Sequence, residues 1–136
     1  NLTWVLMDDG KLTVSGTGEM WNFGWYGAPW NDYRDYIENV TIQEGVTTIG
    51  QYAFMHCYNM TQCTIPNTVN TIGYSAFWDS DKLVEITIPD SVTSIGSQVF
   101  DGTNNNLKIY VPSEYIDVYK RTTGWSTYAN KIYPIE

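Results

Sequence analysis

"TIGYSAFWDSDKLVEITIPDSV", Thr71–Val92, restates in outline "TIGQYAFMHCYNMTQCTIPNTV", Thr48–Val69. The restatement is in strict register. Ile49, Ile72 and Ile95 stand 23 residues apart, as do Gly50, Gly73 and Gly96. The same step of 23 joins Phe54, Phe77 and Phe100, and Val46, Val69 and Val92. Ile42, Ile65, Ile88 and Val111 extend it, and Pro66, Pro89 and Pro112 follow them. Periodicity of this length decides the fold before any single segment is read, because each copy is one supersecondary unit.

Within one unit, Ile86 and Ile88 alternate, so both leave a strand on one face while Thr87 and Pro89 leave on the other. Pro89 donates no N–H, so pairing should stop there. Ile95-Gly96 reads as a turn back, with Gly96 in a backbone conformation that a Cβ would strain. Gln98-Val99-Phe100-Asp101 reads as a short helical or 3-10 arc. One strand and one loose arc cannot bury both sides of their apolar set without neighbours. Stacked at the strand spacing of about 4.8 Å, Ile42, Ile65, Ile88 and Val111 make one inward ladder. Phe54, Phe77 and Phe100 make another on the convex side. Cys57, Ser80 and Thr103 keep the step of 23, which gives Cys57 a packing role. Leu83 to Leu107 is 24, one more than Met60 to Leu83, which predicts an inserted residue in "GTNNNL".

A period of 23 lies in the leucine-rich-repeat range. The predicted fold is a right-handed leucine-rich-repeat solenoid, β-rich and α/β by class, with one strand and one short arc per unit. It forms a single domain: 1–39 an N-terminal cap, 40–112 about three repeats, 113–136 a C-terminal cap. Leu2, Trp4 and Leu6 alternate, as do Leu12 and Val14, about a turn at Asp8-Asp9-Gly10, which predicts a β-hairpin. Pro29 suits a first helical turn. Trp30, Tyr33 and Ile37 then share one face of a short helix across the first rung. Ser113 can cap a C-terminal helix, where Ile116 and Tyr119 share a face, as do Trp125, Tyr128 and Ile132.

"IPDSVTSIGSQVFDG" and "TIPNTVNTIGYSAFWDSDKL" resemble the BspA-type leucine-rich repeat of bacterial surface proteins. The match covers Val40–Pro112; Val99 stands where that repeat usually has Ala, and Ser80 and Asp101–Thr103 stand in its usual Cys region. The hairpin, "GTG" and "APW" carry the resemblance forward to Leu2, and "YVPSEYIDVYKRTTGWSTYANKI" is similar to the family's terminating segment. The resemblance implies a complete capped domain from a secreted or cell-surface bacterial protein that binds something. It does not name the ligand.

The composition limits the partners. Lys plus Arg number 7 and Asp plus Glu 15, a net charge of −8. Nucleic-acid affinity is built on Lys and Arg neutralising phosphates, so nucleic acid is disfavoured. Anionic membrane is disfavoured too, and no apolar run approaches the ~20 residues of a membrane span. Hydrophobic residues make 43% of the chain, enough for a core. Two cysteines, Cys57 and Cys63, with a single histidine, His56, make neither a disulfide framework nor a zinc site. Asp79 and Asp81 could pair as acid and base, but a solvated acidic loop is the simpler reading. Asn1, Asn39 and Asn59 open glycosylation sequons, which matter only in a eukaryotic secretory pathway. The residues therefore point to no enzyme, no cofactor and no metal.

Two surfaces remain for a ligand. The outward strand columns are Gln62, Glu85 and Lys108, then Thr64, Thr87 and Tyr110. The other surface is the aromatic run from Trp21 to Tyr36, in which Trp25 and Tyr26 occupy a Gly-flanked loop. Most of that run is expected to close the cap. The expected function is recognition or adhesion: a monomer contacting a host or bacterial surface protein. A carbohydrate-binding module and a ligand-free spacer are the alternatives. Letters that do not repeat must specify any partner: "QY" against "YS", "MHC" against "WDS", Gln62 against Glu85.

Overall fold

The computed structural model describes residues 1–135. The alternating N-terminus folds as foreseen. β1 (Leu2–Leu6) and β2 (Lys11–Gly16) form an antiparallel hairpin with Leu6 opposite Leu12. Gly10 turns it at φ 86°, where a side chain is costly. β3 (Gly18–Glu19), β4 (Asn39–Ile42), β5 (Val46–Ile49), β6 (Gln62–Thr64), β7 (Thr71–Ile72), β8 (Glu85–Thr87) and β9 (Ser94–Ile95) follow. β10 (Lys108–Pro112), α1 (Ile116–Arg121) and β11 (Ile132–Ile135) complete the described chain. Three sheets result, ordered β1-β2-β4-β6, β11-β10-β8 and β3-β5-β7-β9.

The repeated apolar letters set the register. Val40 pairs with Cys63, Ile86 with Ile109, and Ile49 with Ile72 and then Ile95, all in parallel. Each of these steps is 23 residues, long enough for the crossover that parallel strands require. Ile42, Ile65, Ile88 and Val111 are buried, as is the Val40, Cys63, Ile86 and Ile109 row beside them. Ser94-Ile95 is a strand and not part of a turn. The third sheet was invisible in the sequence because its strands are only two to four residues long.

Between the strands the chain runs as successive i to i+3 turns, not as helix. Alternate residues bond to the next arc: the Tyr52, Phe54 and His56 amides donate to the carbonyls of Tyr74, Ala76 and Trp78. The Ser75, Phe77 and Asp79 amides donate to Ser97, Val99 and Asp101. Tyr52, Ser75 and Gln98 hold φ near +60° (58°, 53° and 59°), and His56 and Asp79 do the same at 60° and 61°. A left-handed residue costs about 1–2 kcal/mol, and the arc-to-arc bonds offset that cost. Gly96 is not left-handed, contrary to expectation. It is glycine because a Cβ would lie 2.6 Å from the Tyr74 nitrogen of the preceding arc.

The aromatic column forms the spine of the core. Phe54 stacks on Phe77 at 5.6 Å and Phe77 on Phe100 at 5.7 Å, with planes 21° and 5° apart. Trp30 continues the stack beyond Phe54 at 5.4 Å and donates its indole N–H to the Ala53 carbonyl. At the other end Tyr128 packs edge-on against Phe100 at 5.4 Å, beside the buried Trp125.

Both end segments differ in detail from the expectation. Asn31–Tyr36 is a 3-10 helix that buries nothing; Tyr33 is exposed, and Trp30 and Ile37 at its two ends supply the burial. Ser113 makes no capping bond. Ser113–Tyr115 and Trp125–Lys131 are 3-10 helices flanking α1, and Ile132 belongs to β11, paired with Ile109. That pair is one more step of 23. The "GTNNNL" insertion is compensated at once: Lys108 pairs with Glu85, so the register downstream is still 23. Cys57 and Cys63 are buried free thiols.

Candidate recognition surfaces

The turns of the arcs bring Trp25 onto residues far from it in sequence. Its ring meets Trp78 at 5.1 Å, Tyr26 at 5.4 Å, Tyr52 at 5.7 Å and His56 at 5.9 Å, all edge to face. His56 stacks on Tyr58 at 5.5 Å with planes 8° apart. Its Nε2 lies 3.2 Å from Asp79 Oδ2. The pairing follows from the repeat: His56 and Asp79 occupy one left-handed column on successive arcs. Gly102 is the next member, and a Cβ there would strike the Asp79 carboxylate. Asp79 is therefore held by the imidazole and is not half of a solvated acidic loop with Asp81. The Arg34 guanidinium lies 5.5 Å from the Tyr26 ring centroid.

This patch has a buried polar centre and an open aromatic rim. His56 is buried, while Trp25 is 48% exposed and Tyr26 47%. Tyr58 is exposed as well, and its phenol is pushed above its ordinary range, first by partial desolvation against its neighbours and then by the Asp79 charge. The rings of the patch touch one another, and Trp25, Tyr26 and Tyr58 stay exposed. Fewer aromatics close the N-terminal end than the sequence suggested. Trp30 is buried and Phe23 packs on the core, but Trp21, Tyr33 and Tyr36 stay exposed beside Trp25 and Tyr26.

Burial pushes the Cys57 thiol up to about 12 and the Cys63 thiol higher still. Neither is a ready nucleophile, since the thiolate is the reactive form. Among the described residues, no group of three or more His, Cys, Asp or Glu converges as a metal site would require.

The strand face holds the other six candidates. Gln62, Thr64, Glu85, Thr87 and Lys108 are exposed and Tyr110 is half-buried. β6 ends one sheet and β8 ends another, so no ladder of backbone bonds joins them, but the two strands lie side by side and Gln62 and Thr64 line one surface with Glu85 and Thr87. A cleft of about 630 Å³ lies between them, lined by both strands with Asp90 and Glu114. Gln62 accepts a bond from Asn39 Nδ2 at 2.7 Å, and Lys108 Nζ sits 5.4 Å from the Tyr133 ring centroid. Trp25 and Tyr26 belong to the arc surface instead. Their partners Tyr52, His56 and Trp78 fall in the letters that do not repeat.

Parallel strands at a constant step, joined by arcs over an aromatic and aliphatic core, define a leucine-rich repeat protein. Residues 32–123 match the model of the BspA type Leucine rich repeat region (6 copies), and the chain belongs to that family. A leucine-rich repeat protein from Eubacterium ventriosum is 30% identical with a TM-score of 0.57 over 82% of this chain. The chain spans 42% of that protein's length. The leucine-rich repeat protein of T. pallidum is 18% identical with a TM-score of 0.54, which shows the fold alone; the match covers 84% of this chain and 63% of that one. No curated protein matches the chain.

Proposed function

We propose that this chain is a non-catalytic recognition module of a secreted or surface-exposed bacterial protein, and that it contacts a protein partner. Its parallel units stack as a right-handed solenoid in a single domain, with the hairpin region and the C-terminal helices as end caps. The observation that carries this reading is the arc patch of Trp25, Tyr26 and Tyr58 around the His56–Asp79 pair. Tryptophan and tyrosine concentrate binding energy at protein interfaces, where truncating one anchor costs about 2 kcal/mol or more. A fixed polar pair beneath exposed rings adds direction to that contact. The strand face, with Thr64 and Thr87, is the second contact surface of the same module.

The test compares wild type with Trp25→Ala and with Thr64→Arg/Thr87→Arg against immobilised extracellular host and bacterial surface proteins. A binder weakened about 30-fold by Trp25→Ala, the equivalent of about 2 kcal/mol, supports the arc patch. Loss only with the threonine variant moves the contact to the strand face. Binding indifferent to both variants overturns the proposal. A glycan array run in parallel addresses the carbohydrate reading, which exposed Trp25 and Tyr26 rings favour because they can stack on sugar faces.

A further inference from the structure

A different part of the molecule, the free edge of β1, carries an inference independent of the arc patch. β1 ends its sheet, with β2 on one side and, among the described residues, no strand on the other. The Met7 amide donates to the Lys11 carbonyl, so Met7 is in a hydrogen-bonded position of the hairpin. Antiparallel pairs alternate between bonded and non-bonded. Val5 and Thr3 therefore spend their backbone groups on Thr13 and Ser15, their partners in the register. Leu2, Trp4 and Leu6 direct theirs toward the open edge.

The same three residues face two apolar clefts. One, of about 460 Å³, runs along Leu2 and Trp4 and is floored by Val14, Met20, Phe23 and Trp30. The other, of about 420 Å³, lies between Trp4, Leu6, Tyr33 and Tyr36. Trp4 is the wall between them. Its ring stands edge-on to Trp30 at 6.0 Å, and that contact holds it upright. The rims carry exposed apolar side chains: Trp21 is 80% exposed, and Met7 and Tyr36 are exposed too.

Proteins usually blunt a free edge with proline, lysine or a bulge. β11, at the far end, carries Pro134. β1 reads Leu-Thr-Trp-Val-Leu and carries none of these. Charge completes the description. Glu19 lines the first cleft and Asp8 the second, and no Lys or Arg lines either.

We propose that β1 is a strand-addition site for a separate extended polypeptide segment with apolar residues at alternate positions and Lys or Arg at its ends. The segment's backbone pairs with Leu2, Trp4 and Leu6. Its apolar side chains, about 7 Å apart at alternate positions, enter the clefts on either side of Trp4. Its basic ends meet Glu19 and Asp8. In strand addition the main chain supplies affinity and the side-chain pockets supply specificity.

The probe is the blocked peptide Lys-Val-Thr-Leu-Thr-Lys, titrated into the isotopically labelled protein and followed by amide shifts and hydrogen exchange. The expected result is saturable binding that slows exchange of the Trp4 and Leu6 amides at least tenfold and leaves Val5 unchanged. An analogue N-methylated at alternate residues, which cannot donate to β1, should bind at least tenfold more weakly. Asp8→Asn/Glu19→Gln should weaken binding and flatten its salt dependence without changing the fold. No saturation up to about 1 mM, the limit of weak specific affinity, overturns the proposal. So does equal binding of the N-methylated peptide. Sedimentation showing a dimer that protects the same amides without peptide overturns it in favour of a second copy as occupant.

Discussion

Phe77→Ala tests whether the aromatic column carries the stability of the stack. Phe77 is fully buried between Phe54 at 5.6 Å and Phe100 at 5.7 Å. It belongs to the middle arc, so its ring is the contact between the two flanking arcs. Truncating a buried phenylalanine costs about 3–5 kcal/mol, because the transfer energy is lost and a cavity remains. Two near-parallel ring contacts on its faces place Phe77 near the middle of that range. A chain of 136 residues has a total stability of roughly 7–20 kcal/mol at 0.05–0.15 kcal/mol per residue. A loss of about 4 kcal/mol is therefore a large share, and it lowers the melting temperature by about 12–20 °C at this size. Urea titration and thermal melting by circular dichroism measure both. Phe77→Leu, which keeps most of the volume, should recover the greater part of the loss. A Phe77→Ala protein that melts cooperatively within about 3 °C of wild type, a change below 1 kcal/mol, would refute the stacked column as the main support.

Three further outcomes follow from the packing. Gly73→Ala should destabilise the fold by about 1–3 kcal/mol, because its Cβ would lie 2.6 Å from the Gln51 nitrogen. Gly24→Ala, which meets nothing within 4 Å, should change stability by under about 0.5 kcal/mol; thermal melts of the two compare them directly. Cys57 and Cys63 should resist an aromatic disulfide reagent in the folded protein and react fully in denaturant, as read by absorbance. Stability should also fall as pH rises, from about 8.5 through the two buried thiols and more steeply above about 10, the ordinary tyrosine value. Burial raises Tyr119 to about 12 and Tyr128 higher, the latter also by its hydrogen bond to Asp101. The unfolded chain then releases protons that the folded chain retains, so the stabilisation from the neutral phenols is present below pH 10 and lost above it. Urea titrations between pH 8 and 12 check the slope, and Tyr128→Phe should make it shallower.

Residues that repeat were legible because they meet copies of themselves. Ile49 and Phe77 each contact the equivalent position one step of 23 away, so one string contains both halves of the contact. The hairpin was legible for a similar reason, since alternation and an Asp-Asp-Gly turn are local signals. β9 and β11 were not. Ser94-Ile95 is too short to show alternation, and Ile132 sits in a stretch whose Trp125 and Tyr128 spacing also suits a helix. Its step of 23 from Ile109 was the signal that could have placed it.

The arc patch could not be read from the string. Trp25 touches Trp78, 53 residues on, only because the left-handed turns at Tyr52, His56 and Asp79 aim those side chains outward and along the stack. A positive φ on a non-glycine residue has no letter of its own; the bonds between neighbouring arcs impose it. The two β1 clefts depend likewise on Trp30 bracing Trp4. The sequence by itself determined the repeat, its step and the apolar ladders, because periodic burial is written in residue type. Only the tertiary structure decided which non-repeating side chains meet, because their directions are set by backbone turns that exist only when the arcs stack.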